Sequence, residues 1–130
     1  MVKGALVERY LQAGEKLLKL LDEGGVETTG AMWFYEDESN GWLLLLALPE
    51  VARSGPLVAY EQIQKVFRPH AEELEPLRFH DITVKSPEEA PFGPLARVVK
   101  TAAHAAAPRR FEGRRIDNCW IEDTWLYRMA

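Results

Sequence analysis

Between Ala31 and Leu48 two apolar runs flank one polar turn. The chain reads Ala-Met-Trp-Phe-Tyr-Glu, then Asp37, Glu38, Ser39, Asn40 and Gly41, then Trp42 and an unbroken apolar run from Leu43 to Leu48. Strand-forming residues on either side of a glycine-ended turn are the pattern of a β-hairpin. Neither arm alternates apolar with polar. A strand with one solvated face carries polar residues at every second position, so arms that are apolar on both sides belong in the middle of a sheet covered above and below. The rest of the chain must supply that cover, or a partner must.

The first source of cover precedes the hairpin. Leu6, Val7, Tyr10, Leu11, Gly14, Leu17, Leu18 and Leu21 recur at helical spacing, with Glu8, Arg9, Gln12, Glu15, Lys16 and Lys19 on the opposite face. Gly24 and Gly25 supply a left-handed stop. Gly14 falls on the apolar stripe, where a missing side chain allows a strand to approach closely.

Pro49 ends the second arm, because proline cannot donate to the ladder. Ser54-Gly55-Pro56 reads as a second helix start with Ser54 as cap; its stripe is Leu57, Tyr60, Ile63, Val66 and Phe67, and Pro69 stops it. From Pro69 to Pro76, Glu72, Glu73 and Glu75 around a lone Leu74 read as a surface connection. Leu77 to Lys85 reads as a third strand near a sheet edge, Ile82 and Val84 inward and Asp81, Thr83 and Lys85 outward. Ser86-Pro87-Glu88-Glu89 matches a capping box, and a third helix is expected from Pro94 to about His104, with Leu95, Val98, Val99 and Ala102 inward. The C-terminal segment is a second hairpin: an arm through Arg114, Arg115 and Ile116, a turn near Asp117 to Trp120, and a strand from Thr124 to Met129. Regular alternation there would put Trp125, Tyr127 and Met129 on one side and Thr124, Leu126 and Arg128 on the other.

The expected order is therefore α-β-β-α-β-α-β-β. This is an α/β chain, or α+β, with about five strands in a mixed sheet, three helices and the first hairpin central. The two helical connections are expected to be right-handed crossovers that leave their strands parallel. A chain of 130 residues, 47% hydrophobic and 28% charged, fits one ordinary globular domain spanning 1–130.

Charge and cysteine content narrow the function classes. Sixteen basic against twenty acidic residues give a net charge of -4, which opposes a large phosphate-binding surface but not a local basic patch. Cys119 is the only cysteine, so an internal disulfide and a multi-thiolate metal site are both excluded within one chain. The start of the chain acquires charges where a signal peptide would be apolar, and the run from Trp42 to Leu48 is too short to span a bilayer. A reducing, cytoplasmic setting and no membrane association are expected. Asn occurs only at 40 and 118 and Gln only at 12, 62 and 64, a scarcity of amides that fits a heat-adapted source, though a GC-rich genome gives a similar bias. A melting temperature below about 60 °C would count against that reading.

Motifs for catalysis are sparse. His70, His80 and His104 lie in separate elements without the short spacings of zinc sites, and no cofactor is implied. Asp81 and Lys85 sit late in a β-β-α-β order, as in metal-dependent nucleases, but Thr83 stands where a second metal-binding acid is needed. Cys119 lies among Asp117, Glu122 and Asp123, carboxylates that would raise a thiol's pKa and weaken it as a nucleophile. Neither a Gly-x-Ser-x-Gly elbow nor a phosphate-cradling loop occurs. Two features remain. Arg109, Arg110, Arg114 and Arg115 around Phe111 could grip phosphates while stacking a base, or pair with acids such as Glu72, Glu73, Glu75, Glu88 and Glu89. Trp33, Tyr35 and Trp42 on the first hairpin, with Trp125 and Tyr127 on the last, are residue types enriched at protein interfaces.

The ending Ile121-Glu122-Asp123 with Tyr127-Arg128, the Trp-Phe-Tyr strand and the Gly55-Pro56 pair resemble a group of small uncharacterised bacterial proteins. The resemblance implies a bacterial single-domain protein and carries no activity with it. The expectation from sequence is a non-catalytic interaction or accessory protein that self-associates or docks on a protein partner through Trp33, Tyr35, Trp42, Trp125 and Tyr127. The competing expectation is a nucleic-acid-associated factor or hydrolase using Asp81, Glu122, Asp123 and Arg128. Convergence of those acids with one histidine in a concave pocket would favour an enzyme.

Overall fold

The computed structural model describes residues 6, 8–36, 38, 41–101 and 109–130. Helix α1 (Glu8–Glu23) leads into β1 (Gly30–Glu36) and β2 (Gly41–Ala47), then α2 (Pro49–Ser54) and α3 (Pro56–Phe67). Short 3-10 turns at Arg68–His70 and Phe79–Asp81 precede β3 (Ile82–Lys85), followed by α4 (Phe92–Ala96), β4 (Arg109–Ile116) and β5 (Cys119–Met129). The strands form one five-stranded mixed sheet in the order β3-β2-β1-β5-β4, and with its helices the chain is of the α+β class. Four α-helices lie among the described residues, one more than expected, because Pro49 starts a helix as well as ending β2. Proline in a first helical turn loses no intrahelical bond.

The first hairpin is central and in register, Gly30 opposite Ala47 through Glu36 opposite Gly41. Strand β3 runs parallel to β2 as a crossover through α3 requires, at the sheet edge, with Ile82 and Val84 buried. The second connection differs from expectation. Strand β4 pairs only with β5, antiparallel, at the opposite edge from β3, so its crossover does not leave neighbouring parallel strands.

The two faces of the sheet are covered unequally. Ala13, Leu17, Leu18 and Leu21 of α1 and Ala59, Ile63 and Phe67 of α3 close over Ala31, Trp33, Leu44 and Leu46, and Leu74 of the acidic connection is drawn fully into the same core. At the opposite face, among the described residues, Phe92 and Leu95 of α4 are buried against Met32, Leu45, Ala47, Leu126 and Met129, with Ala96 and Val99 partly buried beside them. The expected helix from Pro94 onwards is limited to this short element, with Val98 exposed; Ala102 and His104 lie outside the described residues. Ser54 does not cap α3. Its hydroxyl bonds to Glu50, and Gly55 is the cap residue. Leu57, placed on the inner stripe by its spacing, is 70% exposed. Half of the expected capping box forms, the Ser86 N–H donating to Glu89 Oε2 at 2.7 Å.

Candidate interaction surface

Strand β5 carries more of the residues singled out by sequence than any other element, and it breaks alternation twice. Its register with β1 shifts between Ala31 and Met32, so Met32 faces Leu126 while Ala31 faces Arg128. The extra residue turns both Tyr127 and Arg128 toward α1 and sends Met129 to the opposite face with Leu126. Such bulges re-aim side chains. The second break lies opposite Gly113, whose φ of 60° interrupts the β4 pairing; Trp125 packs on the α1 side, whereas Ile121, Cys119 and Ile116 join the α4 side.

The bulge builds a buried polar strut. Arg128, 1% exposed, donates to both carboxylate oxygens of Asp22 at 2.9 and 2.7 Å and to the Thr28 carbonyl at 3.0 Å. A buried guanidinium needs such a two-pronged partner, so this contact ties β5 to the end of α1. The partner is Asp22, not the neighbouring Glu122 or Asp123. Beside it the Trp33 indole donates to the Tyr127 hydroxyl at 3.1 Å, and that hydroxyl donates to the Leu11 carbonyl. A Cβ at Gly14 would lie 2.5 Å from the Tyr127 oxygen, which is why the stripe of α1 carries glycine there. Burial pushes the Tyr127 hydroxyl well above its ordinary range.

These contacts revise the aromatic expectation. Trp33 and Tyr127, each 1% exposed, belong to the core beneath α1 and α3, and Tyr35 is buried at 4% exposed, so these three present little surface. Trp42, edge-on to Tyr35 at 5.5 Å, and Trp125 are half-buried on the same face. On the α4 side Phe34, Leu43, Phe111, Ile116 and Cys119 are likewise partly covered, and Trp120 at the hairpin end is 49% exposed. Phe34 and Leu43 are the alternate positions of the same apolar hairpin. The sequence signal was present in their spacing.

The polar candidates do not converge. Asp123 is fully buried and accepts from Arg110 at 3.1 and 2.7 Å; this hydrogen bonding raises the Arg110 pKa. Arg110 also lies 5.4 Å from the Trp125 ring and 3.3 Å from Glu112. Glu122 accepts from the Trp120 indole at 3.2 Å. Asp81 sits at the far edge, where it accepts from the Arg78 N–H at 3.0 Å and lies 3.5 Å from His80. Three strand spacings, about 14 Å, separate that edge from β5. Asp81 and His80 do line an open cleft of about 940 Å³ with Arg9, Tyr10, Glu72 and Arg78, but the His80 side chain is 72% exposed there. Among the described residues no three His, Cys, Asp or Glu side chains come together as a metal site. His70 contacts Glu73, whose carboxyl is held below its usual range chiefly by hydrogen bonding to Lys16, 2.8 Å away. The Cys119 thiol is pushed up, and the cause is burial rather than its acidic neighbours.

Of the four arginines, Arg110 is held by Asp123 and Glu112, whereas Arg109, Arg114 and Arg115 are exposed on β4, Arg114 lying 5.6 Å from the Phe111 ring. None of the four reaches the acids of the 72–75 or 88–89 segments within the described residues; Glu73 pairs with Lys16, and Glu89 accepts from Ser86. Nor is any described helix long and apolar enough to cross a membrane. Comparison with family models, curated proteins and solved structures gives no match, so a functional reading stands on this geometry alone.

Proposed function

We propose that this chain is a non-catalytic interaction protein that self-associates or docks on a protein partner through the α4 side of its sheet. The supporting observation is the unequal cover. Sixteen- and twelve-residue helices pack on one face, whereas among the described residues a five-residue helix packs on the other, where Phe34 and Leu43 of the hairpin and Phe111 and Ile116 of the edge strand β4 are partly covered. Apolar side chains clustered on one face next to an unpaired edge are what a docking partner can bury.

The test is solution mass by light scattering at high concentration, together with capture of partners on the immobilised chain. Leu43→Glu should abolish association, while Leu57→Glu, on the exposed start of α3, should leave it intact. A strictly monomeric mass and no captured protein would sink the reading. Nucleic-acid association is a second reading, favoured by the exposed Arg109, Arg114 and Arg115 next to Phe111 and Trp120. It ranks below the first because the chain carries a net charge of -4 and Arg110 is already committed to Asp123. Retention on heparin or RNA that is lost in Arg114→Ala plus Arg115→Ala would support it; no retention at low salt would dismiss it.

A further inference from the structure

Strand β4 has β5 on one side and, among the described residues, no strand on the other. Along such an edge alternate N–H and C=O groups point outward, ready to pair with another extended chain. Edge strands are commonly blunted by shortness or by proline; β4 has eight residues and none of them is proline. Its protection is charge. Arg109, Arg114 and Arg115 are exposed along it, and no ion pair links them to an acid within the described residues, whereas Arg110 is occupied by Asp123 and Glu112.

That charge decides which strand can pair. Two copies joined β4 to β4 would set arginines against arginines, and like charges across a strand pair are destabilising. Acidic side chains opposite the same arginines reverse the sign. The backbone edge would hold any extended peptide, but the side chains select for carboxylates. Phe111 and Ile116, half-buried on the α4 side, offer a shelf for apolar residues of the same added strand.

We propose that β4 is a docking edge for an extended acidic segment of another protein, which adds to the sheet as a further strand. Carboxylates on one side of that strand meet Arg114 and those on its other side meet Arg115. This rests on the reading of the chain as an interaction protein and assigns it a partner other than a second copy.

The experiment follows the fluorescence anisotropy of a labelled Glu-Val peptide of Glu-Glu-Val-Val repeats, which presents carboxylates on both faces of an added strand, added to the full chain. Binding should weaken as salt rises and fall by roughly tenfold or more in Arg114→Glu plus Arg115→Glu, whose thermal melt should match the parent's. A Lys-Val peptide should not bind. Neither should a Glu-Val peptide with prolines at alternate positions, since it lacks the donors for strand addition. Equal binding of the proline-containing peptide overturns strand addition, equal binding of the Lys-Val peptide overturns acidic selection, and tighter binding of labelled oligothymidylate at the same arginines assigns the edge to nucleic acid. If the chain self-associates and the Glu-Val peptide does not bind, the acidic-strand proposal falls and the interaction reading stands. A monomer that binds no peptide and captures no protein removes both.

Discussion

The two faces of the sheet are built from alternate residues of the same hairpin, yet they end in different states. Trp33, Leu44 and Leu46 point toward α1 and α3 and are 1% exposed, while Phe34 and Leu43, their immediate neighbours in sequence, point toward α4 and stay partly open. The side chains are similar in hydrophobicity; the difference lies in what covers them. Long helices seal one face and carry its polar groups with them, so that Arg128 and Asp22, like Trp33 and Tyr127, are satisfied where they are buried. A short helix and a hairpin tip, joined by the exposed contact of Arg97 with Asp117 at 2.7 Å, cover the other. Among the described residues, a sheet apolar on both sides is thus packed by long helices on one of them and by a short helix on the other.

The sharpest way to break this comparison is Asp22→Ala, which leaves the Arg128 guanidinium buried without its carboxylate. It should cost about 3 kcal/mol in chemical denaturation, and a loss below ~1 kcal/mol would show that the strut does not anchor β5. Next comes a pair of truncations in one strand. Leu46→Ala on the sealed face should cost about 3 kcal/mol and Leu43→Ala on the open face about 1 kcal/mol; equal losses would mean that the two faces are equally covered. A pH series reads both faces together. Burial raises the pKa of Tyr127 on one side and Cys119 on the other. The unfolded chain therefore loses these protons first, and stability is complete below the ordinary values of 9.0 and 10.0 and declines as pH rises past them. Urea midpoints that do not fall between neutral and strongly alkaline pH would contradict this. The smallest effect belongs to Arg97→Ala. Its pair with Asp117 is solvent-exposed, so stability should change by less than ~1 kcal/mol, while amide exchange at the β4–β5 tip should quicken. A large loss there would make the thin cover more rigid than its contacts imply.

Much of the architecture was legible in the residues. The apolar arms and the turn at 37–41 marked a central hairpin, the leucine stripe of α1 marked its main cover, and Ile82 with Val84 marked an edge strand, because period and burial are local consequences of side-chain pattern. The candidate site was less legible. Trp33 and Tyr127 are as suited to an interface as to a core, and only the seating of α1 over them, permitted by Gly14, places them inside. Reading β5 by strict alternation put Met129 with Tyr127; a one-residue bulge cannot be read from side-chain period, because it is set by pairing with β1 across almost the length of the chain.

The sequence by itself determined that this chain makes a mixed sheet around one doubly apolar hairpin, that no disulfide holds it, and that its arginines cluster in the segment that forms β4. Tertiary structure decided which face of that hairpin is closed, which arginine is held by Asp123, and that Asp81 lies across the sheet from Glu122 and Asp123. The division has a physical reason. Periodicity records how each residue faces its own element, whereas cover, ion pairing and convergence depend on contacts between elements far apart in the chain, fixed only when helices of unequal length close over one sheet.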